Sequence, residues 1–309
     1  MPQTPLNIYS EIANNKRKTF FIILLFPLVL AGLVFLTLLL ISFFTSNSHT
    51  PDWNQINRSF LLITSVTVGV ALIWTAVAWF SGDQIVLNSA DAHEITRQTH
   101  PEIFVLVENL TIATGLPLPR IYIIDDESLN AFATGRDPKH ASLALTKGII
   151  RRLNRAELEG VIGHELGHIA NHDIRLTMLV ATSIGAISLL GQILIRMGRG
   201  RNNKGNFFPI IGFVLIIYGA VFAPLITYAL SRRREYQADA TSAYMTRNPL
   251  ALASALEKIS GDSRVEVLDG KEAIGTACIA FPGNPKALFS SLFATHPPIK
   301  DRIAKLRNM

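Results

Sequence analysis

The chain holds a single cysteine, Cys278, among 309 residues, which excludes a disulfide framework and any metal site built from several thiolates. Charge is also scarce: only 17% of residues are Asp, Glu, Lys or Arg, too few for the solvated surface of an ordinary soluble protein of this size. There is no Gly-rich phosphate loop, no Gly-x-Ser-x-Gly elbow and no internal repeat, so the sequence carries no sign of a P-loop nucleotide site, an α/β-hydrolase or a repeat array. What fills the space is apolar. Hydrophobic residues make up 49% of the chain and mean hydropathy is +0.31, the balance of a membrane protein.

The apolar residues gather in four runs: Phe20 to Phe44, Phe60 to Phe80, Leu176 to Ile195 and Phe207 to Leu230. Each is long enough to cross a bilayer. Lys16, Arg17 and Lys18 precede the first, and the loop before the second has Arg58 as its one basic residue. The positive-inside rule then places the amino terminus in the cytoplasm, that loop outside, and the chain after Ser81 back in the cytoplasm. The first run is too long for the core of a secretory signal and lacks a small-residue cleavage site, so it reads as a retained anchor. The net charge of +6 sits beside these runs, which assigns it to orientation and lipid headgroups rather than to nucleic acid.

Between the second and third runs the sequence turns soluble. Pro101 to Thr114 has helical apolar spacing and stops at Gly115. Arg120 to Asp125, Asn130 to Thr134 and Ala141 to Thr146 are strand-like, with a turn at Gly135 to Pro138 between the last two. They predict a small, mostly antiparallel sheet, whose exposed strand could pair with an extended peptide. Asn154 with Glu157 forms a capping box, so a helix starts there and carries His164-Glu165-Leu166-Gly167-His168 about two turns in.

On that helix His164 and His168 face the same way, and two neutral imidazoles side by side suit a zinc ion. Glu165, one position round, can hold and deprotonate a water there. A catalytic zinc wants three protein ligands and an open position; Glu235, in Glu235-Tyr236-Gln237-Ala238-Asp239, is the candidate third. Asp239, a turn beyond, is placed to accept an imidazole N–H. His296, before Pro297-Pro298, is a candidate donor to an oxyanion. His172 lies off the metzincin spacing, which would need histidine at Ile174, and His49, His93, His100 and His140 read as ordinary histidines.

His168 and Glu235 flank the third and fourth runs, and both can reach one ion only if those runs form a hairpin. Four basic residues in its connecting loop (Arg196, Arg199, Arg201 and Lys204) weigh against a simple double crossing and favour a shallow or protein-packed hairpin. At about 1.5 Å per helical residue, the metal should lie on the order of 10 Å from the membrane surface. Residues 261 to 283 read as irregular, a candidate segment over the site, and Ile299 to Leu306 as a last amphipathic helix.

Four motifs taken together (His164 to His168, Asn130-Ala131-Phe132-Ala133, Glu235 to Asp239 after an arginine run, and His296-Pro297-Pro298) resemble the HtpX family of integral-membrane zinc peptidases, relatives of the type I CAAX prenyl endopeptidase. The resemblance implies an α-rich membrane protein of four hydrophobic spans with a gluzincin-type α+β zinc peptidase domain carrying a small antiparallel sheet. It divides the chain into an anchor (1–82), a first part of the peptidase domain (83–175), a hydrophobic hairpin (176–230) and a second part (231–309). It implies one zinc ion on His164, His168 and Glu235, Glu165 as general base, and Asn130 as a substrate clamp. The implied activity is endoproteolysis of membrane-protein or other polypeptide substrates at the cytoplasmic face of a bacterial inner membrane, in quality control or stress response. A prenyl-protein processing enzyme, or a scaffold in which the metal only joins two helices, are the alternatives.

Overall fold

The computed structural model describes residues 53–199, 232–261, 278–279 and 297–309, with isolated positions between 13 and 43 and at 209–216. The element order is α1 (Trp53–Ser89), β1 (Ala92–Glu94), α2 (Pro101–Thr114), β2 (Arg120–Ile124), β3 (Ala131–Gly135), a 3-10 turn (Pro138–His140), β4 (Ala141–Thr146), α3 (Lys147–Arg152), α4 (Arg155–Ala170), α5 (Asp173–Arg199), α6 (Arg232–Thr246), α7 (Pro249–Gly261) and α8 (Ile299–Arg307).

Local chemistry sets the boundaries. Pro101 occupies the first turn of α2, where a missing N–H costs nothing, and Gly115 ends it at φ 68°. At the start of α4 the Asn154 side chain accepts from the Glu157 N–H at 2.9 Å, and the Glu157 carboxylate accepts from the Asn154 N–H at 2.9 Å. That reciprocal pair satisfies two amides that the helix cannot.

The sheet has the order β1-β2-β4-β3 and is mixed: β1–β2 and β3–β4 pair antiparallel, in keeping with the mostly antiparallel sheet that the sequence suggests, and β2–β4 is the one parallel pair. β3 and β4 form the expected antiparallel hairpin, but β4 inserts beside β2 and runs parallel to it. Both β2 and β4 are buried almost throughout, which is what a parallel pair covered on two faces requires. A hydrophobic pattern says that a strand is buried, not which neighbour it takes. The three-residue β1 is too short to be read from sequence at all.

Side chains alternate between two cores with the strand period of two. Ile121, Ile123, Ala131, Ala133, Leu143 and Leu145 face a core shared with α2, α4, α7 and α8. Tyr122, Ile124, Phe132 and Ala144 face the opposite way, onto the last turns of α1 and the first turns of α5. The sheet is thereby clamped between the metal-motif helix and the two apolar helices.

Among the described residues two helical stretches are long and apolar enough to cross a membrane, Thr64–Ser89 and Asp173–Arg196. They cover the second and third runs; the first and fourth lie largely outside the described residues.

Candidate metal centre and active site

Three glycines let the second half of the domain approach α4. A Cβ at Gly160 would stand 3.0 Å from the Leu252 backbone of α7, one at Gly163 3.0 Å from Ser242 Oγ, and one at Gly167 3.2 Å from Ala238 Cα. Ser242 fastens the approach by donating to the Gly160 carbonyl at 2.6 Å. This close packing brings the first turn of α6, and with it Glu235, to the face of α4 that carries the histidines.

His164 Nε2 and His168 Nε2 lie 3.2 Å apart. Glu235 Oε2 is 3.7 Å from the first and Oε1 is 3.6 Å from the second. The other nitrogen of each ring is held by a carboxylate: His164 Nδ1 by Asp239 Oδ1 at 2.9 Å, and His168 Nδ1 by Asp173 Oδ2 at 3.1 Å. A ring that donates its Nδ1–H to a carboxylate presents a lone pair at Nε2. Two Nε2 atoms 3.2 Å apart need a shared cation between them, either a proton or a metal ion. Ligand atoms bonded to a tetrahedral divalent ion at about 2.0–2.1 Å stand roughly 3.3–3.4 Å apart, so the donor set fits such an ion. Among the described residues this is the one group of three His, Cys, Asp or Glu side chains close enough for that task.

Two supports of the site carry no motif and are missed in the sequence. Asp173 opens α5 five residues after His168; His172 turns the chain between them with a left-handed φ of 57°, which brings the carboxylate back onto the ring. Arg234 of α6 holds the other Asp173 oxygen at 3.2 Å. The second is Arg302, wholly buried, which donates to both Asp239 oxygens at 2.9 and 2.7 Å and to the Ile279 carbonyl at 3.2 Å. Its Nη1 is also 3.5 Å from Glu235 Oε2. One signal could have found it: Arg302 sits on the stripe Ile299, Ile303, Leu306, a charge on the apolar face of α8.

The electrostatics follow from this shell. Burial, reinforced by Arg302, pushes the His164 imidazole down to about 4, so it stays neutral. Burial alone would raise Asp239, but Arg302 and the His164 hydrogen bond hold it down to about 2. Burial would likewise lower His168; the Asp173 hydrogen bond and the Glu235 charge outweigh it and raise the ring to about 9. A dication at Nε2 competes directly with that proton. Burial pushes the Glu165 carboxyl up to about 7, against the opposing charges of His168 and Arg302. That is the range a general base needs near neutrality.

Glu165 is 1% exposed, and its Oε1 has no hydrogen-bond partner among the described residues. The backbone amide of Ala133 favours its charged form, which places β3 alongside the reacting groups. β3 is an edge strand. Its outer side meets Cys278 at one bridge, and the Ala131 carbonyl accepts from the Ile279 N–H at 2.8 Å. Asn130 is buried just before β3, where its Oδ1 accepts from the Ala131 N–H at 3.0 Å, a turn-forming contact. Cys278 is buried, and burial pushes its thiol well up, so it is unreactive. His296 lies outside the described residues.

Two histidines one helical turn apart, a glutamate from a later helix completing the donor set, a buried carboxyl beside it and a strand edge along the cleft define a metallopeptidase. Residues 97–309 match the family described as Peptidase family M48, and the chain belongs to that family. Proteins called "Protease HtpX homolog" are similar over nearly their whole length. The one from Bacteroides fragilis (strain YCH46) is 39% identical over 317 residues, 97% of this chain and 98% of that protein. Those from Tropheryma whipplei (strain Twist) and Dictyoglomus turgidum are 40% and 38% identical, covering 98% and 99% of this chain and 98% and 96% of theirs. The crystal structure of S. mikatae Ste24p is a more distant likeness, with a TM-score of 0.44 at 20% identity over 95% of this chain and 67% of that one.

Proposed function

We propose that this metalloprotease is a zinc endopeptidase that cleaves membrane proteins close to the cytoplasmic face of the membrane, in the removal of damaged ones. The observation that carries the proposal is the convergence of His164, His168 and Glu235 beside a buried Glu165, one of whose carboxyl oxygens has no hydrogen-bond partner among the described residues. Residues 1–82 and the hairpin at 176–230 would hold the site at the bilayer, with 83–175 and 231–309 closing around the ion.

Zinc on these three ligands would lower the pKa of a water in the open position and polarise the scissile carbonyl. Glu165 takes the proton of the attacking water and later hands it to the leaving amine. A carboxyl whose pKa lies near 7 can do both within one turnover. Asp239 and Asp173 fix the tautomer and the plane of each imidazole, and Arg302 keeps Asp239 ionised for that work. An extended substrate would take the place that Cys278 and Ile279 hold along the β3 edge and pair there by main-chain groups, which suits loose sequence preference. Asn130 shapes the start of that edge, and His296 is the candidate donor to the oxyanion.

Glu165→Gln tests the reading. The variant should retain zinc at the stoichiometry of the parent while cleavage of a model membrane-protein substrate falls by at least about a hundredfold, the lower end of what a general base contributes. Undiminished cleavage would refute the assignment. A metal that merely joined helices would leave every activity indifferent to this change.

A further inference from the structure

Away from the metal centre, a cleft of about 440 Å³ opens where the last turns of α1 meet the β3–β4 connection. Trp79 and Phe80 line it from α1, Arg120 from β2, and Arg136, Lys139 and His140 from the connection. Its volume lies within the range of about 300–1,000 Å³ usual for small-molecule sites. Cations dominate. Among the described residues Asp83 is the one carboxylate in the lining, and Arg120 neutralises it. Arg136 lies 3.8 Å from Asp137, and Lys139 has no ion pair among the described residues.

The loop that presents these cations is built to hold its shape. Gly135 has φ 137°, and a Cβ there would stand 2.1 Å from the His140 carbonyl oxygen, so only glycine closes the turn. Asp137 Oδ1 accepts from the Lys139 and His140 amides at 2.9 and 3.0 Å, and Arg175 grips the Arg136 carbonyl.

The cleft lies near the ends of both apolar helices. Trp79 and Phe80 belong to the stretch Thr64–Ser89, and Arg175 to Asp173–Arg196. Arg175 stacks over Trp79 at 5.0 Å and Arg136 over Phe80 at 5.6 Å. Phe80 is 69% exposed beside this cationic mouth. Aromatic rings paired with arginines at the end of an apolar helix mark the level of lipid headgroups.

We propose that this cleft binds the phosphodiester headgroup of an anionic phospholipid, with Arg136 and Lys139 on the phosphate and Phe80 against the first acyl carbons. The site is independent of the metal centre and needs only that α1 lie in the bilayer. Its loop continues directly into β3, so a bound lipid would also brace the strand beside Glu165.

The test is native mass spectrometry of the full chain in neutral detergent, titrated with phosphatidylglycerol, phosphatidylcholine or inorganic phosphate. Phosphatidylglycerol should bind in preference to phosphatidylcholine, and phosphate at equal concentration should not displace it. Lys139→Gln, an exposed change that folding tolerates, should weaken phosphatidylglycerol binding roughly fivefold, and Arg136→Gln with Lys139→Gln about 25-fold, from the attraction usual per basic residue at a membrane surface. Arg151→Gln, outside the cleft, should have no effect. Unchanged binding in the Lys139 and double variants, equal binding of the neutral lipid, or equal competition by free phosphate would each overturn the proposal.

Discussion

Replacing Arg302 by methionine is the most informative single perturbation. The arginine is fully buried, and its guanidinium spans both oxygens of Asp239, itself 2% exposed. Methionine of similar length leaves that carboxylate with His164 as its one remaining partner among the described residues. Breaking a buried pair from one side costs about 3–5 kcal/mol, because the stranded charge has lost its solvation and its counter-charge together. In a domain whose total stability is of order 5–15 kcal/mol, that is a large fraction. Asp239 also orients the His164 ring, so zinc affinity should fall about 10–100-fold. Thermal unfolding in detergent and competition with a chelator read the two effects separately. Arg302→Met with Asp239→Leu should recover much of the stability, since neither charge is then stranded, yet leave zinc affinity low. If the single variant unfolds at the parental temperature and holds zinc equally well, the reasoning about this shell is wrong.

Other consequences are simpler to check. Gly167→Val should push α6 away from α4, where a Cβ already meets Ala238 Cα at 3.2 Å; a loss of about 1–3 kcal/mol in unfolding free energy and weaker zinc retention are expected. Parental values for both would contradict the close-packing argument. Glu157, although burial alone would raise its pKa, is held below the ordinary glutamate range by Lys258 Nζ at 2.6 Å, Ser254 Oγ at 2.7 Å and the Asn154 amide. A depressed carboxyl contributes stability above its unfolded pKa and loses it as pH falls through its folded pKa. The unfolding temperature should therefore drop on acidification below the usual glutamate range, and Glu157→Gln should flatten that part of the profile.

Features that depend on a few consecutive residues were legible in the sequence. The capping box at Asn154, the Pro101 start and Gly115 stop of α2, and the hairpin across Gly135 to Pro138 all follow from local chemistry. The histidine pair was legible because helical spacing alone puts both on one face. Features set by chain crossing were not. That β4 lies between β2 and β3 depends on how the β2–β3 connection passes over the sheet, and apolar residues record burial without recording partners. Arg302 reaches Asp239 and His164 from the far end of the chain, a contact that no short window contains. Asp173 was hidden differently: the left-handed turn at His172, not a periodicity, aims it at His168.

Joint coordination of one zinc ion by α4 and α6 underlies every step of the proposed catalysis. Metal analysis of the purified full chain, alongside Glu235→Gln, tests it most directly. The parent should carry about one zinc per chain, and the variant should lose it under mild chelation. A parent that carries no stoichiometric metal, or a variant that keeps zinc as tightly as the parent, would contradict it.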